Sequence, residues 1–374
     1  MRLFKPVIHG EAHHQVLDVL NSGWIGLGPK VAEFEKECQK IIKCKHAIAF
    51  NSATAALQCA VHILGERWSP IATTPNTFVS TNHVILQENM DLGFYDIELE
   101  TGNVDIKSLK RTVYVTGAQA IMVVHFGGQP VDLDEVYDLG LPVIEDAAHA
   151  FGASYKGRMI GETGKFVCFS FHAVKPLGIG DGGLLATDDD EVAERATHLR
   201  WLGIDKSTIQ RHTGSYKWDY DVDDVGFKSH MNDIQAAIGI GQIKYFEDDQ
   251  AYKERLVKAY RGSLPNMLGC RLLEQRDDRV SANHLVVFQA TSQGMRDEIM
   301  AALGREEIET GMHYKPNYLY RMYKDTYRDK DCPNMEQFYR RSLTLPLHMA
   351  MRTEDVYAIS SIVRSVVGSY EEVK

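Results

Sequence analysis

The segment Phe169-Ser-Phe-His-Ala-Val-Lys-Pro-Leu-Gly-Ile-Gly-Asp-Gly-Gly183 constrains this 374-residue chain more than any other. An apolar run ends there, a lysine follows, and Gly178, Gly180, Gly182 and Gly183 then crowd one turn. The pattern predicts a strand end that presents the Lys175 amine beside backbone able to approach a ligand closely. An amine so placed becomes nucleophilic when desolvation or a nearby cation lowers its pKa, and it can then condense with an aldehyde.

A chain of this length exceeds one ordinary core, so a large domain and a smaller one are expected. No run approaches the roughly 18–20 apolar residues of a membrane span. The N-terminal Met-Arg-Leu-Phe-Lys-Pro lacks the apolar centre of a secretion signal, and a cytoplasmic protein is expected. A net charge of −10 argues against nonspecific nucleic-acid binding, which needs basic surface. It leaves room for a phosphate-bearing ligand, because a site needs only local positive charge. Cys38, Cys44, Cys59, Cys168, Cys270 and Cys332 form no CxxC pair and are read as reduced structural residues, with no metal site.

Apolar periodicity predicts helices from Glu11 to Leu20 and from about Lys30. Strands and helices then alternate. Strands are expected at Ala47–Phe50, Pro70–Thr73, Leu92–Tyr95, Ala120–His125, Val143–Glu145, Phe166–Phe171 and Gly183–Thr187. Helices are expected at Thr54–Leu64, Thr77–Gln87, Leu133–Leu139, and Asp189–Leu202, which acids open at its positive end. Such alternation argues for a mostly parallel sheet covered on both faces, with ligands at the carboxyl ends of strands. Residues 205–224 read as a long polar loop, functional or mobile. Helices at Asn232–Tyr245 and Asp248–Ser263 follow. From about residue 246 a smaller α/β unit is expected. It has strands at His284–Ala290 and Leu343–Leu347, helices at Met295–Leu303 and Thr353–Val367, and a loop holding Met312-His-Tyr-Lys-Pro316.

Three further segments carry chemistry. Pro142-Val-Ile-Glu-Asp146 is a short apolar strand ending in paired acids. Strand side chains alternate, so Asp146 and Glu145 face opposite ways. A carboxylate at Asp146 can keep a pyridine nitrogen protonated, or simply cap a helix. Asn51-Ser-Ala-Thr-Ala-Ala-Leu57 is a strand-to-helix turn of small residues. Backbone N–H groups at Ser52, Ala53, Thr54 and Ala55 suit a phosphate, though the same turn also reads as an ordinary N-cap. Ser170 offers another hydroxyl. Phe78 can stack on a flat ring or fill a core, and His149 can approach a ring hydroxyl or serve structure alone. Acid, phosphate turn and lysine together are the parts of a pyridoxal phosphate enzyme.

With these residues assembled, the chain resembles the DegT/StrS-type sugar aminotransferases, which depend on pyridoxal phosphate. The likeness rests on Gly23-Trp-Ile-Gly-Leu-Gly28 with Phe34-Glu35, Asn51–Leu57, Thr74-Pro-Asn-Thr-Phe78 and Glu145-Asp-Ala-Ala-His-Ala150. It continues through Phe169–Lys175, Gly182-Gly183, Gly226-Phe-Lys-Ser-His-Met-Asn-Asp-Ile-Gln-Ala-Ala237 and Leu345-Pro-Leu-His348. The resemblance implies the fold-type-I architecture: a large domain over residues 1–245 with a mostly parallel seven-stranded sheet flanked by helices, and a small C-terminal α/β domain over 246–374. It implies a homodimer with sites at the subunit interface. By position Lys175 matches the Schiff-base lysine, Asp146 the ring-nitrogen partner and Phe78 the stacking aromatic. Thr54, Ala55 and Ser170 match phosphate contacts, and Lys228 matches a residue offered across the interface to the phosphate. Trp24, His313 and Tyr314 are substrate-binding candidates. Two positions depart from the family pattern. Ala53 replaces the usual glycine of the phosphate turn, and His230 stands where many members carry arginine.

The resemblance implies transfer of an amino group from an amino acid, glutamate or glutamine, to a keto sugar, commonly nucleotide-linked. Two other enzymes remain open at this point: an aminotransferase on a free keto sugar or carbocycle, and a sugar dehydratase, which Lys175 disfavours because dehydrating relatives carry histidine there. The intact Lys175 and Asp146 disfavour a noncatalytic regulator.

Overall fold

The computed structural model describes residues 1–204, 220–324 and 332–370. Most of the expected long loop, residues 205–219, lies outside the described residues. One seven-stranded sheet organises the first two-thirds of the chain. Its strands are β1 (His46–Phe50), β2 (Ile71–Thr73), β3 (Leu92–Phe94), β4 (Ala120–Val124), β5 (Val143–Asp146), β8 (Phe166–Ser170) and β9 (Gly183–Thr187), in the spatial order β1-β9-β8-β5-β4-β2-β3. Every described pairing is parallel except those of β9, which runs against both β1 and β8. With β9 reversed between them, β1 and β8 still point the same way. Their carboxyl ends therefore share one edge with those of β2, β4 and β5.

Alternation along the strands sends side chains into separate cores. Ile48 and Phe50 of β1, with Phe166 and Cys168 of β8, join a core with α3 (Ala53–Leu64), α4 (Ser80–Gln87) and α7 (Asp190–Leu199). Ala47 and Ala49, with Val167 and Phe169, face α2 (Pro29–Ile42) and α8 (Asp233–Ile243). Farther along that second face, Ile121 and Val123 meet Leu109 of α5 (Ile106–Thr116) and Val136 of α6 (Leu133–Tyr137). The six cysteines are all buried.

A second sheet, three-stranded, joins β10 (Arg271–Leu272), β12 (Val286–Gln289) and β13 (Ser342–Leu345). Its core uses Leu256 and Tyr260 of α9 (Phe246–Ser263), Ile299 and Leu303 of α10 (Gln293–Arg305), and Ile359 and Val363 of α12 (Thr353–Ser369). The two parts interleave. Met335 and Phe338 of α11 (Pro333–Arg341) pack into the core of the large sheet, with the Phe338 ring 5.7 Å from Phe126. β11 (Arg279–Val280) pairs with β6 (Ser154–Tyr155), which also pairs with β7 (Arg158–Met159). At the other end of the chain the Leu3 N–H donates to Glu309 at 3.1 Å, and the Leu3 carbonyl accepts from Leu347 at 3.3 Å. No helix among the described residues is long and apolar enough to cross a membrane.

Several elements differ from expectation. The helix expected from Thr77 starts at Ser80, because the Thr77 carbonyl and hydroxyl are already engaged by Asn317 and Thr81. The helix expected to run to Leu202 stops at Leu199, where backbone turns back at Leu202 with φ +62°. Asp189 caps its start by accepting from the Glu191 and Val192 N–H groups. The helices α5 and α11 and the small β11-β6-β7 sheet were not anticipated from periodicity.

α1 (Gly10–Ser22) crosses α8 so closely that a Cβ on Gly241 would lie 2.4 Å from the Ala12 backbone. Gly241→Ala is expected to destabilise the fold by about 1–3 kcal/mol, the range for overpacking a filled interface. A denaturation midpoint equal to that of the unaltered protein would show that this crossing can relax.

Candidate active site

The carboxyl edge of the large sheet gathers the groups. β8 ends at Ser170, and the chain turns through Lys175 before β9 returns. The turn is held by backbone hydrogen bonds from Phe171 to Gly182, Ala173 to Gly180 and Lys175 to His172, at 2.8–2.9 Å. Gly178 is required because a Cβ there would sit 2.4 Å from the Ala173 carbonyl oxygen. The Lys253 ammonium donates to the Pro176 carbonyl at 3.3 Å and steadies the residue beside the lysine. Part of the Lys175 side chain opens onto the cleft, yet enough protein surrounds its amine that burial presses its pKa down to about 8. The Asp146 charge opposes that drop.

Asp146 closes β5 and is only 4% exposed. Its carboxylate accepts from the Thr81 hydroxyl at 2.7 Å and from the Ala148 N–H at 3.0 Å. Burial raises its pKa, while those two donors and then the Lys175 charge pull it back. Glu145 faces the other way, as alternation requires, and meets His125 at 2.9 Å and Tyr137 at 2.6 Å. A chain of side chains ties the Phe78 loop to the acid: Thr77 bonds Thr81 at 2.7 Å, and Thr81 bonds Asp146. Phe78 itself stands 61% exposed. The other phenylalanines are buried or half-buried, and this ring is left open at the cleft.

The Ser52 turn lies at the same edge. Ser52 caps α3 by accepting from the Ala55 N–H at 3.2 Å. The Ala53 and Thr54 N–H groups, orphaned as first-turn amides are, make no hydrogen bond among the described residues. Two open donors at a helix N-terminus suit an anion without any net positive charge. Gly183 permits the turn to sit against β9, since a Cβ there would fall 2.3 Å from the Ser52 carbonyl. Ser170 pairs with Gly183 in the sheet and so shares this corner.

His149 and Tyr314 complete the inner wall. The His149 Nδ1 accepts from the Gly127 N–H at 3.3 Å, and its Nε2 lies 3.1 Å from the Tyr314 hydroxyl. The His284 ring packs 4.4 Å from that of His149. Burial, then the Lys175 charge, holds His149 well below an ordinary imidazole. His313, bonded to the Thr344 hydroxyl at 2.8 Å, is lowered to about 4 by burial and the same charge. Trp24 stands apart, at the Gly23–Gly28 turn, with its indole N–H on the Leu27 carbonyl. Asp233 of α8 pins that turn through the Gly28, Lys30 and Val31 N–H groups. Lys228 is exposed between less exposed neighbours, and its ammonium lies 3.2 Å over the Trp201 ring. Neighbouring Ser229 accepts the Asn51 N–H at 2.7 Å, beside the Ser52 turn. Thr81, Gly127, His284 and Lys253 were missed by sequence reasoning. Nothing in their local sequence marks them, because each acts on a residue distant in the chain.

The arrangement offers an amine near neutrality, a buried carboxylate on the same edge, and unpaired amides for an anion. Such a set suits transfer chemistry on a phosphorylated aldehyde. Comparison with known proteins agrees. Residues 6–364 match the DegT/DnrJ/EryC1/StrS aminotransferase family. The spore coat polysaccharide biosynthesis protein SpsC of Bacillus subtilis is 37% identical over 373 residues, covering 97% of this chain and 96% of that protein. Helicobacter pylori PseC, an aminotransferase involved in pseudoaminic acid biosynthesis, superposes with a TM-score of 0.90 at 27% identity, over 98% of this chain and 99% of PseC. Spr1654 of Streptococcus pneumoniae, solved in PLP and PMP forms, superposes at TM-scores of 0.90 and 0.92. Its identity is 26% and 25% in the two forms, over 99% of each chain. This chain belongs to the DegT/DnrJ/EryC1/StrS aminotransferase family. It is an aminotransferase that works with pyridoxal phosphate.

An amine is nucleophilic only when unprotonated, so Lys175 should capture the cofactor aldehyde faster as pH rises to about 8 and then level off. Below that point the rate should change about tenfold per pH unit. A rate that keeps climbing toward about 10.4, as for an unperturbed lysine, would contradict the effect of burial. Stopped-flow mixing of apoprotein with cofactor reads this directly.

Proposed function

We propose that this sugar aminotransferase moves an amino group from glutamate or glutamine to a keto sugar carried on a nucleotide. The reading is carried by the Lys175 amine, pressed to about 8 on the strand edge that also holds buried Asp146. The biosynthetic settings named for SpsC and PseC support a sugar acceptor.

In this reading residues 1–245 bind the cofactor and 246–374 form the small domain. The fit is physical at each end. The Ala53 and Thr54 amides, with Ser52, Ala55 and Ser170 around them, receive the phosphate. Asp146, buried with two hydrogen bonds, suits a cationic ring N–H. Phe78 covers one ring face, and His149 lies on the inner wall. Bound there, pyridoxal phosphate supplies an electron-accepting ring that carries the amino nitrogen between the two substrates.

The protein's own work is to hold groups and move protons. Lys175 Nζ, unprotonated for a useful fraction of the time near neutral pH, takes a proton from the substrate carbon and returns it to the adjoining position. Burial raises the Asp146 pKa despite the Thr81 and Ala148 donors, and a cationic ring N–H beside it would favour the charged carboxylate. His313 and Tyr314 border the acceptor side, and Trp24 stands apart from them at its own turn. Lys228 serves the phosphate of the partner subunit in a homodimer, adding the charge that a dianion favours.

Lys175→Ala should lower turnover by at least about 10²–10⁴-fold, the usual share of a positioned acid–base group. Borohydride should bleach the yellow holoenzyme and leave its label on Lys175. Undiminished transfer from 15N-glutamate or 15N-glutamine to a nucleotide-linked keto sugar in that variant would remove the lysine from the mechanism. If the unaltered enzyme moves 15N only to free sugars, the nucleotide is wrong.

Lys228→Ala should weaken cofactor retention about tenfold in the dimer. Equal retention by both proteins, measured by equilibrium dialysis, would refute the cross-subunit role.

A further inference from the structure

We propose that the cleft between the Lys175 turn, the N-terminal residues and α9 is the subsite for the α-carboxylate of the amino-acid donor, and that Lys253 and His284 are the side chains that bind it. The proposal rests on the reading that an amino acid supplies the nitrogen, and it names where that donor is held.

An amino-acid donor must bring its nitrogen to the place the Lys175 amine holds. Its carboxylate carbon is two bonds from that nitrogen, about 2.5 Å away. The anion is therefore met beside Lys175 or left without a partner, which is costly in a site shielded from water. A cleft of about 520 Å³, ample for an amino acid, opens there and is bordered by Phe4, Lys5, Lys175, Lys253 and His284. Among the described residues no arginine lines it, so its positive charge comes from lysines. A neutral keto-sugar ring brings no anion within two bonds of its reacting carbon. The cleft thus serves the donor half of the reaction and not the acceptor half.

Lys253 enters from α9. Its ammonium donates to the Pro176 carbonyl at 3.3 Å and makes no other hydrogen bond among the described residues. Two of its three N–H donors are left open. Burial lowers it to about 8, so it is mostly an ammonium at pH 7, and a carboxylate beside it holds that proton in place. Asp249 of the same helix also borders the cleft, but its Oδ2 lies 3.0 Å from His9 Nε2, and it forms no ion pair with Lys253 among the described residues. His284 is 6% exposed. Its backbone N–H donates to the Gly127 carbonyl at 3.0 Å, and its ring stacks on Phe4 at 5.8 Å. Burial above all holds it well below an ordinary imidazole, so the ring is neutral and carries a single N–H. Neither ring nitrogen is hydrogen-bonded among the described residues. His348 borders the cleft as well, but its Nε2 donates to the Arg2 carbonyl at 3.1 Å, since a carbonyl can only accept. Lys5, exposed at the rim, adds a second positive charge. An ammonium with two open donors and an imidazole N–H thus stand together where the donor's anion must lie.

The donor half-reaction is read on holoenzyme without any sugar, by following the visible band after mixing with low concentrations of L-glutamate or L-glutamine. Methoxyamine is the reference, because it condenses with an accessible cofactor aldehyde and has no carboxylate. Lys253→Met keeps the apolar stem and removes the charge. It should slow both amino acids about tenfold to a hundredfold relative to methoxyamine, the scale of a lost charge-assisted hydrogen bond. The two factors should be equal, because both amino acids carry the α-carboxylate. Lys253→Arg should recover most of the loss. His284→Phe, which keeps the stack on Phe4, should lower the same ratio about tenfold, and it decides alone if Lys253→Met fails to fold. A loss shared equally by methoxyamine would make Lys253 only a support of the Lys175 turn and overturn the proposal. So would a loss confined to glutamate, which would put the side-chain carboxylate in the cleft, or an unchanged ratio in either variant. If neither amino acid converts the cofactor of the unaltered protein, the donor reading falls together with this one. Conversion that is indifferent to both variants removes the subsite and leaves the donor reading standing.

Discussion

Burying the Asp146 carboxylate away from water is costly unless the charge is met, and much of the cleft is arranged around meeting it. The acid lies at the end of a central parallel strand, between β4 and β8, where little solvent reaches it. Thr81 and Ala148 supply two hydrogen bonds, and the Lys175 charge acts from the neighbouring strand end. Through Thr81 the same carboxylate orders the Thr77–Phe78 loop. Its charge also helps to keep Tyr314 a phenol. A carboxylate held this way is poised for a cation, and a protonated pyridine ring is one that fits.

The sheet explains why these groups meet at all. Only β9 runs against its neighbours, and by doing so it lets β1 and β8 end on one edge although the chain turns back between them. The glycine at the start of β9 has a second consequence. Gly183 lies against the Ser52 carbonyl, so the small-residue turn after β1 is pressed against the strand that follows Lys175. One close backbone contact therefore ties the Ser52 turn to the strand that follows the amine. From the other side, the 312–316 loop brings in His313 and Tyr314, and the backbone of Tyr314 is bonded to Asn76. The C-terminal part is thus fastened to the large sheet at the site itself as well as through α11 and β11.

Much of this was legible in the sequence because it is local. Apolar runs of four or five residues bounded by glycine, proline or acids marked β1, β4, β5, β8 and β9 to within a residue or two. Side-chain alternation alone separated Asp146 from Glu145. Helices with mixed faces were harder. α5 holds Tyr114 and Val115 outward, so its apolar pattern is blurred, and α11 is a short, highly charged helix whose few apolar residues enter a distant core. The end of α7 was overrun because Trp201 and Leu202 continue an apolar pattern after the backbone has left the helix.

The sequence by itself determined the strand ends, the small-residue turn and the identities of the lysine and the acid, since each depends on neighbours a few residues away. Tertiary structure alone decided that Thr81 would hold Asp146, that the Gly127 N–H would meet His149, and that a tyrosine 165 positions beyond that histidine would face it. Those contacts join segments whose separation along the chain carries no periodic signal. Hydrogen-bond direction is likewise settled only when donor and acceptor stand a few ångströms apart.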